Sequence, residues 1–288
     1  MEYSIKPKRL GERRIIHYPQ KRIIGLYVNI MIKLIASDLD GTLLLNGAKM
    51  PNPEVYDLIT ELKKNGIHFI AASGRQYASM QRLFEPIKDE ISYITENGSL
   101  CIHNGAVTKR AVMDRELGLR IMEDIRRRDN CHILLSCENT YYVESEFLLH
   151  HMQDTVLSDV ILVPSVSDIQ EPFLKLAVYD EVTTSDNAEY FFQKYSSEIT
   201  VATSGNVWVD FILPDANKGT ALQSFAEYFH VKPEECMAFG DQQNDIEMLQ
   251  FAGESYAMES AAPNVSVYAK HTTDSVEKVL RNLLKNSI

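Results

Sequence analysis

The sequence predicts an α/β fold in which a parallel, Rossmann-like sheet is interrupted by an inserted mixed α/β domain. Three observations carry that reading. Short apolar runs stop abruptly at polar or acidic loops around Asp38, Ser73 and Asp241, as buried strands do when they feed tight turns. Amphipathic stretches alternate with the first of these runs, and a β-α-β-α-β order requires right-handed crossovers and a parallel sheet. From about Ala111 to Leu213 the pattern changes to hairpins alternating with helices, the mark of an antiparallel insert.

Met31–Ala36 is the first apolar run and ends at Asp38-Leu39-Asp40-Gly41-Thr42. Asn52-Pro53 supplies an N-cap and a first helical position, Val55, Leu58, Ile59 and Leu62 follow at helical spacing, and Gly66 closes the element. Ile67–Ala72 is a second buried strand that stops at Ser73-Gly74-Arg75. A helix carrying Met80, Leu83 and Phe84 leads to a third strand at Tyr93–Thr95, which ends in Glu96-Asn97-Gly98. In the insert, a helix around Leu117–Arg127 precedes a hairpin of Cys131–Cys137 and Tyr141–Glu144. Phe173–Tyr179 is a further strand, a helix follows it, and Ile199–Thr203 and Val207–Leu213 form a second hairpin through Ser204-Gly205-Asn206. Pro214 begins the return. Asn217-Lys218-Gly219 opens a helix, Cys236–Phe239 is a strand ending at Gly240-Asp241, and Asn244-Asp245 begins another helix. Ser255–Met258 and Ser275–Leu284 are the last strand and helix. The expected organisation is an extension at 1–30, a core from 31–112 and 214–288, and an inserted domain at 113–213.

With 288 residues, 45% hydrophobic and 24% charged, the chain has the composition of a soluble globular protein. A net charge of −11 argues against a broad nucleic-acid surface, which needs a basic face, but leaves phosphorylated small molecules open. The four cysteines show no C-x-x-C pair, so we expect reduced thiols and a cytoplasmic location. Residues 1–30 carry seven Lys/Arg against two Glu, a charge of +5 that leaves −16 for the remainder. Their basic stretch before an apolar run imitates a signal peptide, but Asn29 and Lys33 interrupt the run and cleavage there would remove the strand that carries Asp38. The run is also too short to span a bilayer. We therefore expect a dispensable extension, non-native or disordered, with Met31 as the functional start, and no membrane partner.

In open α/β sheets, ligands bind at the carboxyl ends of the strands. Asp38 and Asp40 arrive there together, and two such carboxylates need a cation or hydrogen bonds to offset their charge. We read Asp38 as a nucleophile and Asp40 as the group that handles protons beside it. A D-x-D-G stretch also suits a polar turn or a calcium loop, but an EF-hand loop needs further ligands and a final Glu that this stretch lacks.

Asp38–Thr42, Ser73-Gly74-Arg75, Asn217-Lys218-Gly219 and Gly240–Asp245, taken together in this order, resemble the haloacid dehalogenase (HAD) superfamily of aspartate-nucleophile phosphatases. The chain is most similar to the Cof-type, sugar-phosphatase-like members of subclass IIB, which insert a large α/β cap between the second and third motifs. The resemblance covers essentially all of 31–288. It implies hydrolysis through an aspartyl-phosphate on Asp38, which splits one difficult displacement into two. Asp40 would protonate the leaving oxygen and then activate water, work worth about 10²–10⁴-fold. Mg²⁺ would be held by the Asp38 carboxylate, the Asp40 carbonyl and Asp241, with Asp245 orienting the site behind them. Lys218 would pair with Asp38 and the phosphoryl oxygens. Thr42, Ser73, Gly74, Lys218 and Asn244 would bind phosphate, a role that helix capping rivals at Ser73 and Asn244. Arg75 stays open between contacting substrate and solvating a helix.

The sequence departs from the family pattern at Tyr256–Ala261, where Glu259-Ser260 stands in place of the usual Gly-Asn. That acidic group, if near the entrance, would disfavour very anionic substrates. Within the insert, Glu138, Asn139, Tyr141, Lys175 and Asp210 are polar residues amid apolar strands. An ordinary solvated face explains each more simply than a substrate contact. The function expected is phosphate-ester hydrolysis of a small phosphorylated metabolite, a sugar phosphate or phosphorylated cofactor. A phosphomutase and a catalytically idle phosphometabolite sensor are the rivals, and the oligomeric state is not legible.

Overall fold

The computed structural model describes residues 31–153, 159–183, 185–204 and 207–286. The expectation for the N-terminal extension and the tip of the second hairpin at Gly205-Asn206 therefore lie outside the described residues.

The chain opens with β1 (Leu34–Asp38), α1 (Pro53–Lys64), β2 (His68–Ala72), α2 (Tyr77–Leu83) and β3 (Ser92–Thr95). Asn52 caps α1 through a hydrogen bond from the Glu54 N–H to its side chain, with Pro53 at the first helical position. β4 (Leu100–His103) and β5 (Ala106–Arg110) then form a hairpin that the sequence reading missed. Its signal is Asn104-Gly105, both at positive φ, the two-residue turn that suits the twist of a hairpin. Strands of four and five residues beside it offer little periodicity to read.

Next come α3 (Arg115–Arg126), β6 (Cys131–Ser136), β7 (Thr140–Val143), α4 (Glu146–Gln153), β8 (Asp159–Leu162), β9 (Lys175–Asp180), α5 (Ser185–Tyr195), β10 (Thr200–Ser204) and β11 (Trp208–Ile212). The return is α6 (Lys218–Tyr228), β12 (Cys236–Gly240), α7 (Ile246–Phe251), β13 (Glu254–Met258), β14 (His271–Thr273) and α8 (Val276–Asn286).

These strands form two sheets. The first has eight strands in the order β14-β13-β12-β1-β2-β3-β4-β5. It is parallel from β14 to β3, and β4 and β5 extend it antiparallel. The expected parallel sheet is thus present, with an antiparallel edge added. Leu34 and Ala36 pack with α6 and α7, whereas Ile35 packs with α1, α2 and α8. Strand alternation sends neighbouring residues to opposite faces, so helices cover both. The second sheet has six strands, β10-β11-β9-β6-β7-β8. One face buries Ile133, Leu135, Leu176, Val178, Val209 and Phe211 beneath α3 and α5. The other face carries a smaller cluster with α4 and, at one end, polar residues.

Strand order in the first sheet reverses at β1, which lies between β12 and β2. That is the topological switch point, where a crevice opens at the strands' carboxyl ends. Glu96, Asn97 and Gly98 line it from the end of β3 with φ of 48°, 57° and 104°. A Cβ on Gly98 would lie 2.3 Å from the Asn217 carbonyl oxygen, so this turn packs directly on the start of α6.

Among the described residues no helix is long and apolar enough to cross a membrane. All four cysteines are free thiols, and burial pushes them up, Cys131 to about 11 and the others to about 12.

Gly98→Ala is expected to cost about 2 kcal/mol or more in urea unfolding, because strain and collision act together. Gly47→Ala, at φ 71° with nothing within 4 Å of the added methyl, should cost about 1 kcal/mol. Equal losses would show that the turn does not pack on α6 as described.

Candidate active site

Five side chains meet at the carboxyl end of β1. Asp38 ends that strand opposite Ala72 of β2 and is 6% exposed. The loop beyond it closes when the Thr42 and Leu44 N–H groups donate to the Leu39 carbonyl. Gly41 makes the closure possible, since a Cβ there would lie 2.3 Å from Asp241 Oδ2. Thr42 Oγ1 then donates to Asp241 Oδ1 at 3.0 Å, joining the loop to the end of β12.

Lys218 enters from the first position of α6, where Asn217 and Thr220 cap the helix reciprocally. Its ammonium is fully buried, with Nζ 2.5 Å from Asp38 Oδ1 and 2.6 Å from Asp245 Oδ1. Burial alone would lower this ammonium, but Asp245 and Asp38 overcome it and hold it above its ordinary value. Asp245 Oδ2 accepts from the N–H groups of Asp241 and Gln242, both at 3.0 Å. Both of its oxygens are therefore engaged, and it fixes Lys218 and Asp241 at once.

Asp38 is different. Its Oδ2 is buried and finds no partner among the described residues. Burial pushes its carboxyl up to about 7 against the pull of Lys218, and the charges of Asp245 and Asp241 push the same way. Ligand oxygens of Asp38, Asp241 and Asp245 lie within 4.8 Å of one another. An orphaned carboxylate oxygen amid hard oxygen donors and excess negative charge fits a divalent cation. Asp245 has one oxygen on the buried ammonium and the other on two N–H groups. Each Asp241 oxygen accepts a single neutral hydrogen bond, Oδ1 from Thr42 Oγ1 and Oδ2 from Gln242 Nε2. Asp38 and Asp241 therefore have more capacity left for a cation.

The remaining candidates stand around this group. Ser73 is buried at the end of β2, and its Oγ accepts from the Arg75 N–H at 3.2 Å. Asn244 is exposed and its amide donates to Asn97 Oδ1 at 2.9 Å. Gly74 leaves room for that same Asn97 amide, whose oxygen would lie 3.0 Å from a Cβ on the glycine. Asp40 is held in a fork: Arg75 Nε donates to Oδ2 at 2.9 Å and Nη2 to Oδ1 at 2.6 Å. Arg75 thus does what neither sequence alternative described.

The sequence reading also missed Glu96 and Asn97. The Asn97 N–H donates to the Ser73 carbonyl at 3.0 Å and the Glu96 N–H to the Arg75 carbonyl at 3.1 Å. An Asn-Gly pair directly after a buried strand was the available signal, because Asn and Gly tolerate positive φ. In the second sheet, Tyr141 and Lys175 are buried and Asp210 nearly so, so the solvated-face reading fails for them. Glu138 is half-buried and pairs with Arg110. Glu259 lines a groove of about 360 Å³ with Tyr256, Thr273 and Lys278, between β13, β14 and α8.

The sequence profile of the haloacid dehalogenase-like hydrolases matches residues 35–280. The chain belongs to this family. Hydrolases of the family generally use a divalent metal, in keeping with the acidic cluster. The chain is similar to the 5-amino-6-(5-phospho-D-ribitylamino)uracil phosphatase YbjI of Escherichia coli (strain K12), with 26% identity over 263 residues, 87% of this chain and 97% of that one. A crystal structure from Eubacterium rectale superposes with a TM-score of 0.81 at 31% identity, covering 88% of this chain and 99% of the other. The subclass IIB sugar phosphatase BT4131 shares the fold with a TM-score of 0.73 at 20% identity, over 89% of this chain and all of that one (100%).

Replacing Lys218 by Met should cost about 3–5 kcal/mol, because it strands two buried carboxylates. In chelator, the folded chain holds the Asp38 proton more tightly than the unfolded chain does. Between about pH 4 and about 7 a rise in pH therefore penalises the folded state. Thermal melts should show Asp38→Asn gaining on the wild type across that window. A gap independent of pH would contradict the raised Asp38.

Proposed function

We propose that this HAD-family hydrolase is a Mg²⁺-dependent phosphomonoesterase acting on small phosphorylated metabolites, sugar phosphates or phosphorylated cofactors, through an aspartyl-phosphate. The observation that carries the reading is the asymmetric Asp38 carboxylate, with one oxygen on Lys218 Nζ and the other buried and unpartnered. A salt bridge with a purely structural role would engage both oxygens, as Asp245 does.

In this reading the Asp38 carboxylate attacks phosphorus, the ester oxygen departs, and the phosphoryl group stays on Asp38. Asp40 gives its proton to the departing oxygen and later takes one from the water that cleaves the aspartyl-phosphate. Arg75 has to loosen its fork for either transfer, since it occupies both Asp40 oxygens. Lys218 offsets the charge that accumulates on the phosphoryl oxygens. Thr42, Ser73, Gly74 and Asn244 hold those oxygens. Asp38, the Asp40 carbonyl and Asp241 would hold Mg²⁺, which when bound neutralises the paired carboxylate and phosphate charges.

Apart from Leu174, which packs into the core of the first sheet, the two sheets have their own hydrophobic cores, which supports a division into a core of 31–112 and 214–288 and a cap of 113–213. Closure of the cap would exclude water, with hinges at 111–116 and 213–216. An idle sensor would have no use for a nucleophile. A phosphomutase differs in needing a bisphosphate activator.

Phosphate release from para-nitrophenyl phosphate should require Mg²⁺ and stop with chelator. Asp40→Asn should lower kcat by about 10²–10⁴-fold, and Asp38→Asn should abolish turnover. Activity that survives in Asp38→Asn would sink the mechanism.

A further inference from the structure

The polar end of the second sheet takes no part in the chemistry above. Strand register assembles it: β6 sets Ser136 opposite Lys175 of β9 and Tyr141 of β7. Asp210 of β11 stands opposite Ala177, on the same face as Lys175. Two residues of the first sheet's loops reach this row. Glu96 comes from the positive-φ turn after β3, and Gln76 follows Arg75.

Ser136 Oγ donates to Glu96 Oε1 at 2.8 Å. Lys175 Nζ lies 3.0 Å from Glu96 Oε2 and 4.0 Å from Asp210 Oδ1. Gln76 Nε2 makes long contacts of 3.4 Å to Ser136 Oγ and 3.3 Å to the Cys137 carbonyl, whereas its Oε1 finds no partner among the described residues. Gln76 and Glu96 are each 1% exposed. A buried ion pair and a buried orphan acceptor are poor ways to join two sheets, because apolar residues of the same size would do it at lower cost. Non-glycine residues at positive φ, such as Glu96, cluster at ligand clamps.

The arrangement also borders the acid–base group. Glu96 donates its N–H to the carbonyl of Arg75, the residue whose fork holds Asp40. Both cations at this junction are engaged by carboxylates, Lys175 by Glu96 and Asp210, Arg75 by Asp40. Two carboxyl groups share the single ammonium, so no positive charge remains to neutralise an incoming anion. The Ser136 and Tyr141 hydroxyls already serve Glu96, and the neutral group left without a partner among the described residues is the Gln76 oxygen. A hydroxyl or amide N–H on the leaving group would satisfy that oxygen.

We propose that Glu96, Lys175 and Asp210 form a charge filter for the leaving group, admitting neutral, hydroxyl- or amide-bearing monophosphates and rejecting substrates with a second anionic group. The proposal rests on the phosphatase reading. It assigns the filter to these residues rather than to Glu259.

A matched pair of substrates tests it. Sorbitol 6-phosphate and 6-phosphogluconate differ at one carbon, a hydroxymethyl group against a carboxylate. The wild type should favour the neutral one in kcat/KM by about 10-fold or more, the effect of one unit charge across several ångström of partly shielded protein. Glu96→Gln raises the local charge by one and should narrow that ratio by about 10-fold; Lys175→Gln lowers it by one and should widen the ratio similarly. A merely structural role would lower both substrates together and leave the ratio unmoved. Each variant carries its own sign, so if one fails to fold the other still decides, and the wild-type ratio needs no variant. Indifference of the wild type, failure to turn over sorbitol 6-phosphate, or ratios that move the same way in both variants overturn the filter alone. Absence of phosphate release from para-nitrophenyl phosphate overturns the phosphatase reading and the filter with it.

Discussion

Lys218 places a full positive charge where water does not reach, and two carboxylates must stay beside it for that charge to be tolerated. Much of the site follows from that constraint. Asp245 must point inward, which draws the Asp241 and Gln242 N–H groups onto its second oxygen and fixes the loop after β12. Asp38 must present one oxygen to the ammonium, which leaves the other buried and without a partner among the described residues. Gly41 and Gly240 must lack side chains, because Asp241 and Asp245 fill the space their Cβ atoms would take. A single buried cation thus sets the orientation of two carboxylates and, through Asp245, the backbone of the loop after β12.

The turn at Glu96–Gly98 does similar work by shape. It touches the loop after β2 through Ser73 and Arg75, the start of α6 through Asn217, the loop after β12 through Asn244, and the second sheet through Ser136 and Lys175. Three successive residues at positive φ make this reach possible, because the chain doubles back within one short 3-10 turn whose φ values lie outside the right-handed helical region. Such strain persists only where surrounding contacts over-determine it. Here five neighbouring segments do so.

The strands that carry the chemistry were legible because buried parallel strands are nearly continuous apolar runs, and Asp38, Ser73 and Asp241 interrupt them sharply. Lys218 was legible only through its place between the insert and the core, since a lysine in a sequence gives no sign of complete burial. The β4–β5 hairpin escaped because short edge strands show no period, although Asn104-Gly105 marked its turn. Lys175 and Asp210 looked like surface residues. Their burial depends on which face of a remote sheet meets the Glu96 turn, and no local pattern encodes that meeting. Arg75 was ambiguous for the same reason, its partner Asp40 lying 35 residues away.

Asp38 and Lys218 are separated by 180 residues. A ribosome adding about 5–20 residues per second needs roughly 10–40 s to cover that interval. Throughout it the nascent chain carries Asp38 without its ammonium, and β1 without β12, its neighbour on one side. The parallel pairing that completes the sheet must also wait for the intervening segment to emerge and for its ends to meet, a slow, non-local step. Asp38 therefore meets its ammonium only after α6 has emerged, and a chain broken off before α6 would carry Asp38 without the cation it pairs with.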